Sequence, residues 1–460
     1  MQSTISRFVF FVAASTTSRA RGLSTAIFKK SSVPVLNENL PTMPTSNDKT
    51  RAWCRTASVQ PSGEIVLETI ADADLSDSYP SSTRKIGEQV FDLTQSVDWM
   101  EYLEKIENRE NDEGGAGAYD TMRCDVVLSK SLHLSKERIK VWGQDYHLQR
   151  LQKSYLSLLR EKNGSTSTTS DLFLPVDQKL LKEAMEKSNQ IVTKLLSEAE
   201  SSVCLAETTD DILIQLFRVT LLWSNNESPR STELNSSDSI VVRGHATSSC
   251  EPMKVHRAPE PIVVSIAAHL TDTEPTSTND EGAKIDNMLP TRYSNPQNKI
   301  ASWCRQRKQM EKPHYKPPGA SEMLMVRQRL DEANKSRLEI LEGLSSNFFA
   351  IYTDGTLRTA TDGVLNGYVR HLVLGCTSTV GLKFDPRPIF LHDVNQWQEA
   401  FITSSSRLIY PISKVLLPEY CNESEENTFT EYWKYKSDGS TPKWQELLQE
   451  ILKGAGYDQV

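Results

Sequence analysis

Apolar residues at helical spacing predict two helices in the first half of the chain. Over 147–159, leucines and a tyrosine recur every three or four positions, which places them on one helix face. Asp177 is a residue type that caps helices, and the apolar residues after it again share one face. Short apolar runs predict strands at 125–128, 212–222 and 240–242. This alternation favours a small α/β domain.

The last third of the chain has the most regular pattern and is dominated by strands. Asp354-Gly355 has the composition of a tight hairpin turn between two apolar runs. Gly367 follows another turn and is predicted to begin a helix over 368–374. Strands are predicted in four apolar runs, at 322–326, 338–341, 348–352 and 357–360.

Polar stretches rich in Ser, Thr and Asn divide the chain into its predicted parts. One of them, at 271–282, marks a domain boundary. The predicted organisation is a leader at 1–37, a polar N-terminal extension at 38–112, a small N-terminal domain at 113–270 with a polar insertion at 224–239, and a larger C-terminal domain at 284–460.

The composition excludes several classes of function. The 460 residues carry 52 Lys and Arg against 60 Asp and Glu, a net charge of −8, which is unlike the basic surface of a nucleic-acid-binding protein. No apolar run approaches the roughly 20 residues of a membrane span. The seven cysteines include no closely spaced pair typical of a metal site. We therefore expect no nucleic-acid partner, no membrane span and no metal.

The first 37 residues have the composition of a cleavable transit peptide. They are rich in Ser, Thr and Ala, and no acidic residue precedes Glu38. This favours a mitochondrial location, with a plastid leader as the alternative. The basic residues of this segment are Arg7, Arg19, Arg21, Lys29 and Lys30.

Two residues could take a direct part in chemistry, one as a nucleophile and one as a buried charged group. Lys299 has apolar neighbours, and a lysine in such surroundings can lose its proton and attack an aldehyde, although an isolated lysine is more often at the surface. Glu342 lies between two predicted strands. A buried glutamate needs a cationic partner such as a protonated pyridine nitrogen, the alternative being a turn carboxylate satisfied by backbone amides.

Three further features could bind a phosphate. Arg150 lies on the first predicted helix and could offer its guanidinium, or it could simply be solvated. The backbone amides of Tyr368 and Val369, just after Gly367, lie at a helix N-terminus that attracts anions. The hydroxyls of Ser404 and its neighbours could complete the set, or could form a turn without a ligand. An amine, a carboxylate and a phosphate site together are what pyridoxal 5'-phosphate requires.

These candidate site residues, taken in their order along the chain, resemble those of the fold-type IV, class IV aminotransferases. This family includes branched-chain and D-amino-acid aminotransferases and aminodeoxychorismate lyase. The resemblance covers about 115–415 and depends on six segments: GAYDTMR at 117–123, YHLQRLQKS at 146–154, NKIASWCRQRKQMEK at 298–312, PPGASEMLMV at 317–326, EGLSSNFF at 342–349 and DGTLRTATDGVLNGYVR at 354–370.

The resemblance implies an α+β fold of two domains with pyridoxal phosphate in the cleft between them, and a homodimer. It implies that Lys299 forms the Schiff base and that Glu342 contacts the pyridine nitrogen. Tyr119 and Arg123 would face the substrate. The phosphate would be held by Arg150, Gly367, Tyr368, Val369, Ser404 and Ser405. Cys304 replaces a tyrosine that, in branched-chain enzymes, contacts the phenolic oxygen of the cofactor.

Three functions follow from the resemblance. The first is an aminotransferase that moves an amino group between an amino acid and a 2-oxo acid. The second is a pyridoxal-phosphate-dependent lyase of the aminodeoxychorismate lyase type. The third is a catalytically silent relative that acts as a binding protein.

Overall fold

A computed structural model describes thirteen segments of the chain. The predicted leader, Asp177, and the polar stretches at 226–239 and 271–282 lie outside the described residues. The described segments are 54–59, 63–68, 117–128, 139–162, 178–202, 213–225, 240–248, 253–254, 258–267, 296–311, 316–331, 333–419 and 428–457.

The first sheet is antiparallel throughout its described strands. Its order is β2-β1-β6-β5-β3-β4, and β7 also pairs with β5. The first two strands come from the predicted polar extension, so part of that segment belongs to the fold. The strands are β1 (Cys54–Val59), β2 (Ile65–Glu68), β3 (Ala118–Val127), β4 (Ile139–Val141), β5 (Leu213–Asn225), β6 (Ile240–Ser248) and β7 (Met253–Lys254).

Two helices pack against this sheet and form its core. They are α1 (Gln144–Lys162) and α2 (Gln178–Ser202), which confirms both predicted helices. The residues at helical spacing on α1, Leu148, Leu151 and Tyr155, are buried. They pack with side chains of β3 and α2 in one apolar cluster. The core thus fixes α1, and with it Arg150, against β3.

The second sheet is larger and mixed. Its order is β13-β12-β11-β15-β16-β8-β9-β10-β14, with β17 on β16 and an additional pairing of β10 with β11. The strands are β8 (Ile262–Ile266), β9 (Ala320–Leu330), β10 (Ser336–Gly343), β11 (Asn347–Tyr352), β12 (Thr356–Arg358), β13 (Lys383–Phe384), β14 (Ile389–Phe390), β15 (Trp397–Ser404), β16 (Leu408–Glu419) and β17 (Thr428–Lys434).

One pair of residues closes part of the second sheet into a ring. Glu342 of β10 pairs with Asn347 of β11. Because β11 also connects through β15, β16, β8 and β9 back to β10, these strands form a closed circuit. The turn between β10 and β11 therefore lies where the ring closes.

The remaining helices lie beside the second sheet or lead into it. The predicted hairpin is confirmed: Gly355 has a φ of 79°, and its amide donates to the carbonyl of Tyr352 at 2.9 Å. The predicted helix after Gly367 is confirmed as well. These elements are α3 (Ser302–Met310), α4 (Tyr368–Cys376), a 3₁₀ helix (Leu391–Gln396) and α5 (Lys443–Gly454). With two sheets and helices packed on them, the fold is α+β.

The described segments contain neither a membrane-spanning helix nor a cluster of metal-binding side chains. Within the segments that the structure describes, no helix is long and apolar enough to cross a bilayer. In the same segments, no group of three or more His, Cys, Asp or Glu side chains could hold a metal ion.

Candidate functional site

A cleft of about 880 Å³ lies between β3 and α1 on one side and the second sheet with α3 on the other. This volume includes solvent at the open mouth of the cleft as well as the space between its walls. Seven of the predicted site residues line it: Tyr119, Arg150, Lys299, Glu342, Gly367, Ser404 and Ser405.

Lys299 is held in the cleft by backbone contacts on both sides of it. Its carbonyl accepts a hydrogen bond from the amide of Tyr119 at 2.9 Å, and its own amide donates to Oγ of Ser154 at 3.0 Å. Its side chain is 18% exposed, with Nζ 3.9 Å from a carboxylate oxygen of Asp120. Nζ also lies 5.3 Å from the centre of the Tyr119 ring. The amine is therefore largely shielded from water and near an anion.

Gln297 ties the lysine segment to the turn before α4. Its Nε2 donates to the carbonyl of Val364 at 2.6 Å, and its Oε1 accepts from the amide of Asn366 at 3.2 Å. Since Asn366 directly precedes Gly367, these bonds fix the start of α4 relative to Lys299.

Glu342 is 2% exposed in the cleft wall. Its Oε2 accepts hydrogen bonds from Nδ2 of Asn347 and from the amide of Leu365, both at 3.0 Å. Asn347 also donates to the carbonyl of Leu365 at 2.7 Å. The carboxylate is thus held in one orientation by a side chain and by one backbone amide, and it remains part of the cleft lining.

Arg150 makes a buried ion pair with Asp120, a residue that sequence reasoning missed. Nε and one terminal nitrogen of the guanidinium each donate to a different carboxylate oxygen at 2.7 Å. The other terminal nitrogen donates to the carbonyl of Asn366 at 2.9 Å. Nδ1 of His147 lies 3.2 Å from Asp120. Arg150 is therefore a fixed group at the cleft wall, unlike a solvated arginine on a helix surface.

The electrostatics of this cluster set its charge state. Burial raises the pKa of Asp120, but the charge and hydrogen bonds of Arg150 and His147 together outweigh burial and hold the pKa well below its usual range. Burial lowers the pKa of His147 in spite of the nearby Asp120, so the imidazole is neutral at pH 7. For Arg150, burial is outweighed by Asp120 and the pKa is raised.

The start of α4 forms a narrow wall of the cleft. Gly367 is its N-cap and provides no side-chain cap for the first amides of the helix. A Cβ atom at Gly367 would collide with Oδ1 of Asn347, so any larger residue would have to displace the Asn347 side chain. The side chains of Tyr368 and Val369 lie outside the cleft lining. Val369 is buried in an apolar cluster, and the Tyr368 ring lies 5.4 Å from the ring of Tyr146. What these two residues can offer a ligand is therefore their backbone amides.

Ser404 ends β15 and Ser405 begins the turn to β16, and both line the cleft. Oγ of Ser404 accepts a hydrogen bond from the amide of Arg407 at 3.2 Å and lies 3.4 Å from Oγ of Ser406. The hydroxyl of Ser404 is thus held in place by the turn that follows it.

Arg123 does not line the cleft. It lies four residues along β3 from Tyr119, about 13 Å at the usual rise of a strand. Its Nε donates to Asp125 at 2.7 Å, and a terminal nitrogen donates to the carbonyl of Ser406 at 3.2 Å. The structure thus gives Arg123 a role in tying β3 to the turn between β15 and β16, and its predicted contact with substrate stays a prediction.

Two arginines of the cleft lining were also missed. Arg307 lies on α3, one turn after Cys304, whose thiol faces the cleft as well. Arg407 follows the serines of the turn between β15 and β16 and has a nitrogen 3.7 Å from Glu322. Arg307 lies in one of the segments that carry the family resemblance. For both arginines, the sequence offers only a positive charge close to predicted site residues.

The charges in the lining favour anionic ligands. Within the described residues, Glu342 is the carboxylate of the lining, and the cations are Arg150, Lys299, Arg307 and Arg407. A shielded amine, a fixed carboxylate and an uncapped helix start are suited to a phosphate-bearing cofactor with a carbonyl group.

The chain is similar to known proteins in its sequence and in its structure. Residues 117–415 match a family model described as Amino-transferase class IV. Among solved structures, the chain is similar to a branched-chain aminotransferase from the archaeon Thermoproteus uzoniensis with norvaline, at 13% identity over 89% of this chain and 97% of that one, with a TM-score of 0.44.

Two further solved structures are similar at the same level. One is a hypothetical aminotransferase from Mycobacterium tuberculosis in its PLP-bound form, at 13% identity over 87% of this chain and 99% of that one, with a TM-score of 0.43. The other is a fold IV-transaminase from Curtobacterium pusillum, at 14% identity over 88% of this chain and 99% of that one, also with a TM-score of 0.43. At these identities and scores, the assignment rests on the family model.

Proposed function

Because the chain belongs to the amino-transferase class IV family, we propose that it is a pyridoxal-phosphate-dependent aminotransferase acting between an amino acid and a 2-oxo acid. The observation that carries this proposal is the meeting of Lys299, Glu342 and Arg150 in one cleft although they lie far apart in sequence. A silent relative would have no need to keep an amine, a carboxylate and a phosphate site together.

The residues of the cleft fit the cofactor chemically. The helix start at Gly367, the hydroxyls of Ser404 and Ser405 and the guanidinium of Arg150 would hold the phosphate. Gly367 packs directly against the side chain of Asn347, which also holds Glu342, so the first amides of α4 are fixed relative to that carboxylate. When bound, pyridoxal phosphate supplies a carbonyl carbon that takes up amines and a ring that accepts electrons.

The chain's own residues would orient the reactants and move protons. Nζ of Lys299 can act as nucleophile and as base, since Tyr119 and the cleft wall shield it from water. Glu342, held by Asn347 and the Leu365 amide, would keep a proton on the pyridine nitrogen. Trp303 is 3% exposed and contributes apolar lining that excludes water.

The absorbance of the purified protein tests the proposal. After incubation with pyridoxal phosphate and removal of the excess, we expect a visible absorbance band that changes when an amino acid is added and returns when a 2-oxo acid follows. Lys299→Ala is the matched control and should lose both responses. A lyase would form product without any 2-oxo acid, and a silent relative would show no band.

The homodimer and the mitochondrial location are part of the same proposal and rest on the sequence. Sedimentation of the purified chain should give twice its mass of 51.8 kDa. A fluorescent protein attached to the C-terminal end of residues 1–37 should be imported into mitochondria. If deletion of residues 1–37 left the location of the full-length protein unchanged, these residues would not be a transit peptide.

A further inference from the structure

The last residue that the structure describes, Tyr457, contacts a buried carboxylate of the first sheet. Asp125 of β3 is fully buried and accepts hydrogen bonds from three side chains. Nε of Arg123 donates to its Oδ1 at 2.7 Å, while Nε1 of Trp142 and the hydroxyl of Tyr457 donate to its Oδ2 at 2.7 and 2.8 Å. A residue just after α5 therefore helps to hold a carboxylate of β3.

Packing holds Tyr457 in the orientation that makes this bond. Its ring is stacked on that of Trp142, with 6.0 Å between the ring centres. Both rings belong to the apolar cluster that α5 forms with the second sheet. Burial and the charge of Asp125 raise the pKa of Tyr457, so the hydroxyl keeps its proton and remains a donor.

The start of α5 is fixed to the strand that leads to the cleft. Oε1 of Glu399 accepts the amide of Lys443 at 2.8 Å, and its Oε2 accepts the amide of Trp444 at 3.0 Å. Glu399 lies on β15, which ends at Ser404 in the cleft lining. The helix and the residues after it thus connect β15 to the carboxylate of β3.

Arg123 connects Asp125 to the turn between β15 and β16. Nε of its guanidinium donates to Asp125, and a terminal nitrogen donates to the carbonyl of Ser406 at 3.2 Å. Ser406 lines the cleft on the side of the second sheet, and β3 forms the opposite side. Because a guanidinium is planar, the bond to Asp125 fixes the direction of the other nitrogens. Arg123 is therefore a bridge between the two walls, and Asp125 sets its orientation.

We propose that Tyr457 is a positioning residue of the cleft, which acts through Asp125 and Arg123 to hold the turn between β15 and β16 at its distance from β3. Without the hydroxyl, the carboxylate loses one of its donors, and a buried acceptor short of donors is costly. The carboxylate then reorients towards water, and the guanidinium that follows it releases the carbonyl of Ser406. Where it concerns the cofactor, the inference rests on the proposed function, because serines at this turn are assigned to the phosphate.

The thiol of Cys304 reports the opening of the cleft without any cofactor. It faces the cleft but is 3% exposed, so a maleimide reagent reaches it when the walls separate. Tyr457→Phe keeps the ring and removes only the hydroxyl. In this variant we expect Cys304 to be labelled about tenfold faster or more, as the loss of a hydrogen bond to a charged group predicts.

Peptide mass mapping provides an internal control for the labelling. Cys124 lies in the core of the first sheet, away from the cleft lining, and should be labelled at the same rate in Tyr457→Phe and in the parent. Equal rates for Cys304 in the variant and the parent would overturn the inference.

Cofactor affinity tests the consequence for the turn. In an absorbance titration, Tyr457→Phe should bind pyridoxal phosphate about twofold to tenfold more weakly, the range for one hydrogen bond. Tyr352→Phe is the matched control, because Tyr352 is 1% exposed and its hydroxyl donates to Asp393 at 3.4 Å outside the cleft lining. This control should lower stability in urea and leave Cys304 labelling and cofactor affinity unchanged. If it altered both as much as Tyr457→Phe does, a general loss of stability would explain the results and the inference would be wrong.

A double-mutant cycle tests whether Tyr457 acts through Arg123. Arg123→Lys keeps the positive charge beside Asp125 but removes the planar fork that also reaches Ser406. Adding Tyr457→Phe to Arg123→Lys should therefore speed the labelling of Cys304 no further. Independent, multiplying effects of the two substitutions would contradict the bridge.

The outcomes separate this inference from the proposed function. Faster labelling of Cys304 in Tyr457→Phe, in a protein whose parent shows no cofactor absorbance, would support the positioning role and overturn the aminotransferase. Cofactor absorbance and amino transfer in the parent, with labelling and cofactor affinity unchanged in Tyr457→Phe, would support the aminotransferase and overturn the positioning role.

Discussion

Asp120 and Arg150 are joined by two parallel hydrogen bonds of 2.7 Å, and Asp120 is fully buried. The pair links β3, which carries Tyr119, to α1, and it brings Arg150 to the cleft wall. Lys299 lies 3.9 Å from the same carboxylate. One buried anion therefore organises two of the cations that we assign to cofactor binding.

Removal of both partners of the Asp120–Arg150 pair should cost less stability than the summed costs of removing each partner alone. From the sequence, Arg150→Ala would be expected to weaken cofactor binding without unfolding the protein. The structure changes this expectation, because the variant leaves Asp120 buried without its main cation. We expect the free energy of unfolding to fall by about 3–5 kcal/mol. The double variant Asp120→Asn/Arg150→Gln should lose less than the sum of the single variants in urea denaturation, and additive losses would show that the pair is not coupled.

The stability that Asp120 contributes through its ion pair with Arg150 should persist into the acidic pH range. The pKa of Asp120 is lowered on folding, so its contribution to stability is complete above its unfolded pKa of about 3.9 and is lost only as pH falls towards the lower folded value. The difference in unfolding free energy between the parent and Asp120→Asn should therefore be constant from pH 8 to about pH 4 and shrink below that. A difference that declines between pH 7 and pH 5 would indicate that Asp120 titrates normally.

Lys299 should be the residue that carries the cofactor. Reduction with sodium borohydride in the presence of pyridoxal phosphate should leave the cofactor on the peptide that contains Lys299, because this lysine lines the cleft. Mass mapping of peptides measures this, and Lys299→Arg serves as the control. Attachment to Lys308, Lys312 or Lys316 instead would contradict the assignment.

Local sequence patterns predicted those helices, strands and turns whose conformation depends on residues close together in the sequence. The hairpin at Asp354-Gly355 needs a residue that tolerates positive φ, and Gly355 supplies it. The strand predicted at 125–128 is part of a longer strand, Ala118–Val127. The part of this strand before residue 125 carries Asp120 and Arg123, polar residues that do not fit a strand pattern until their ion pairs are known. Such partners come from distant segments, which a local pattern cannot show.

The same reason limits what the sequence reveals of the site. Lys299 and Glu342 were recognised because their segments resemble a family. Arg307 and Arg407 look like ordinary charged residues of a helix and a turn, and only the fold places both in the cleft. Arg123 shares a quoted segment with Tyr119, yet the rise of the strand carries it beyond the cleft lining.

Glu342 should affect turnover far more than stability. Glu342→Gln keeps the shape of the side chain and an acceptor for Asn347, but it removes the charge opposite the pyridine nitrogen. We expect the cofactor to stay bound and the barrier to turnover to rise by about 2–4 kcal/mol, the cost of one preorganised electrostatic contact. Glu339→Gln on the same strand is the control. Glu339 pairs with Arg327 at 2.8 Å outside the cleft lining, so that change should lower stability and leave kcat unaltered. Equal kcat values for Glu342→Gln and the parent would make the carboxylate structural.

Two glycines at either end of α4 provide a matched test of the proposed phosphate site. Gly367 has a φ of −75°, which alanine adopts freely, so the only cost of Gly367→Ala is the collision of its Cβ with Asn347. That collision should displace Asn347 from Glu342 and shift the first amides of α4, at a cost of about 1–3 kcal/mol in stability. Affinity for pyridoxal phosphate, measured by absorbance titration, should fall about tenfold or more, as expected for the loss of a charge-assisted hydrogen bond. A Cβ at Gly375 meets no atom within 4 Å, so Gly375→Ala should raise helix stability by roughly 0.5–1 kcal/mol and leave cofactor affinity unchanged. If the two variants bound the cofactor equally well, the start of α4 would not be the phosphate site.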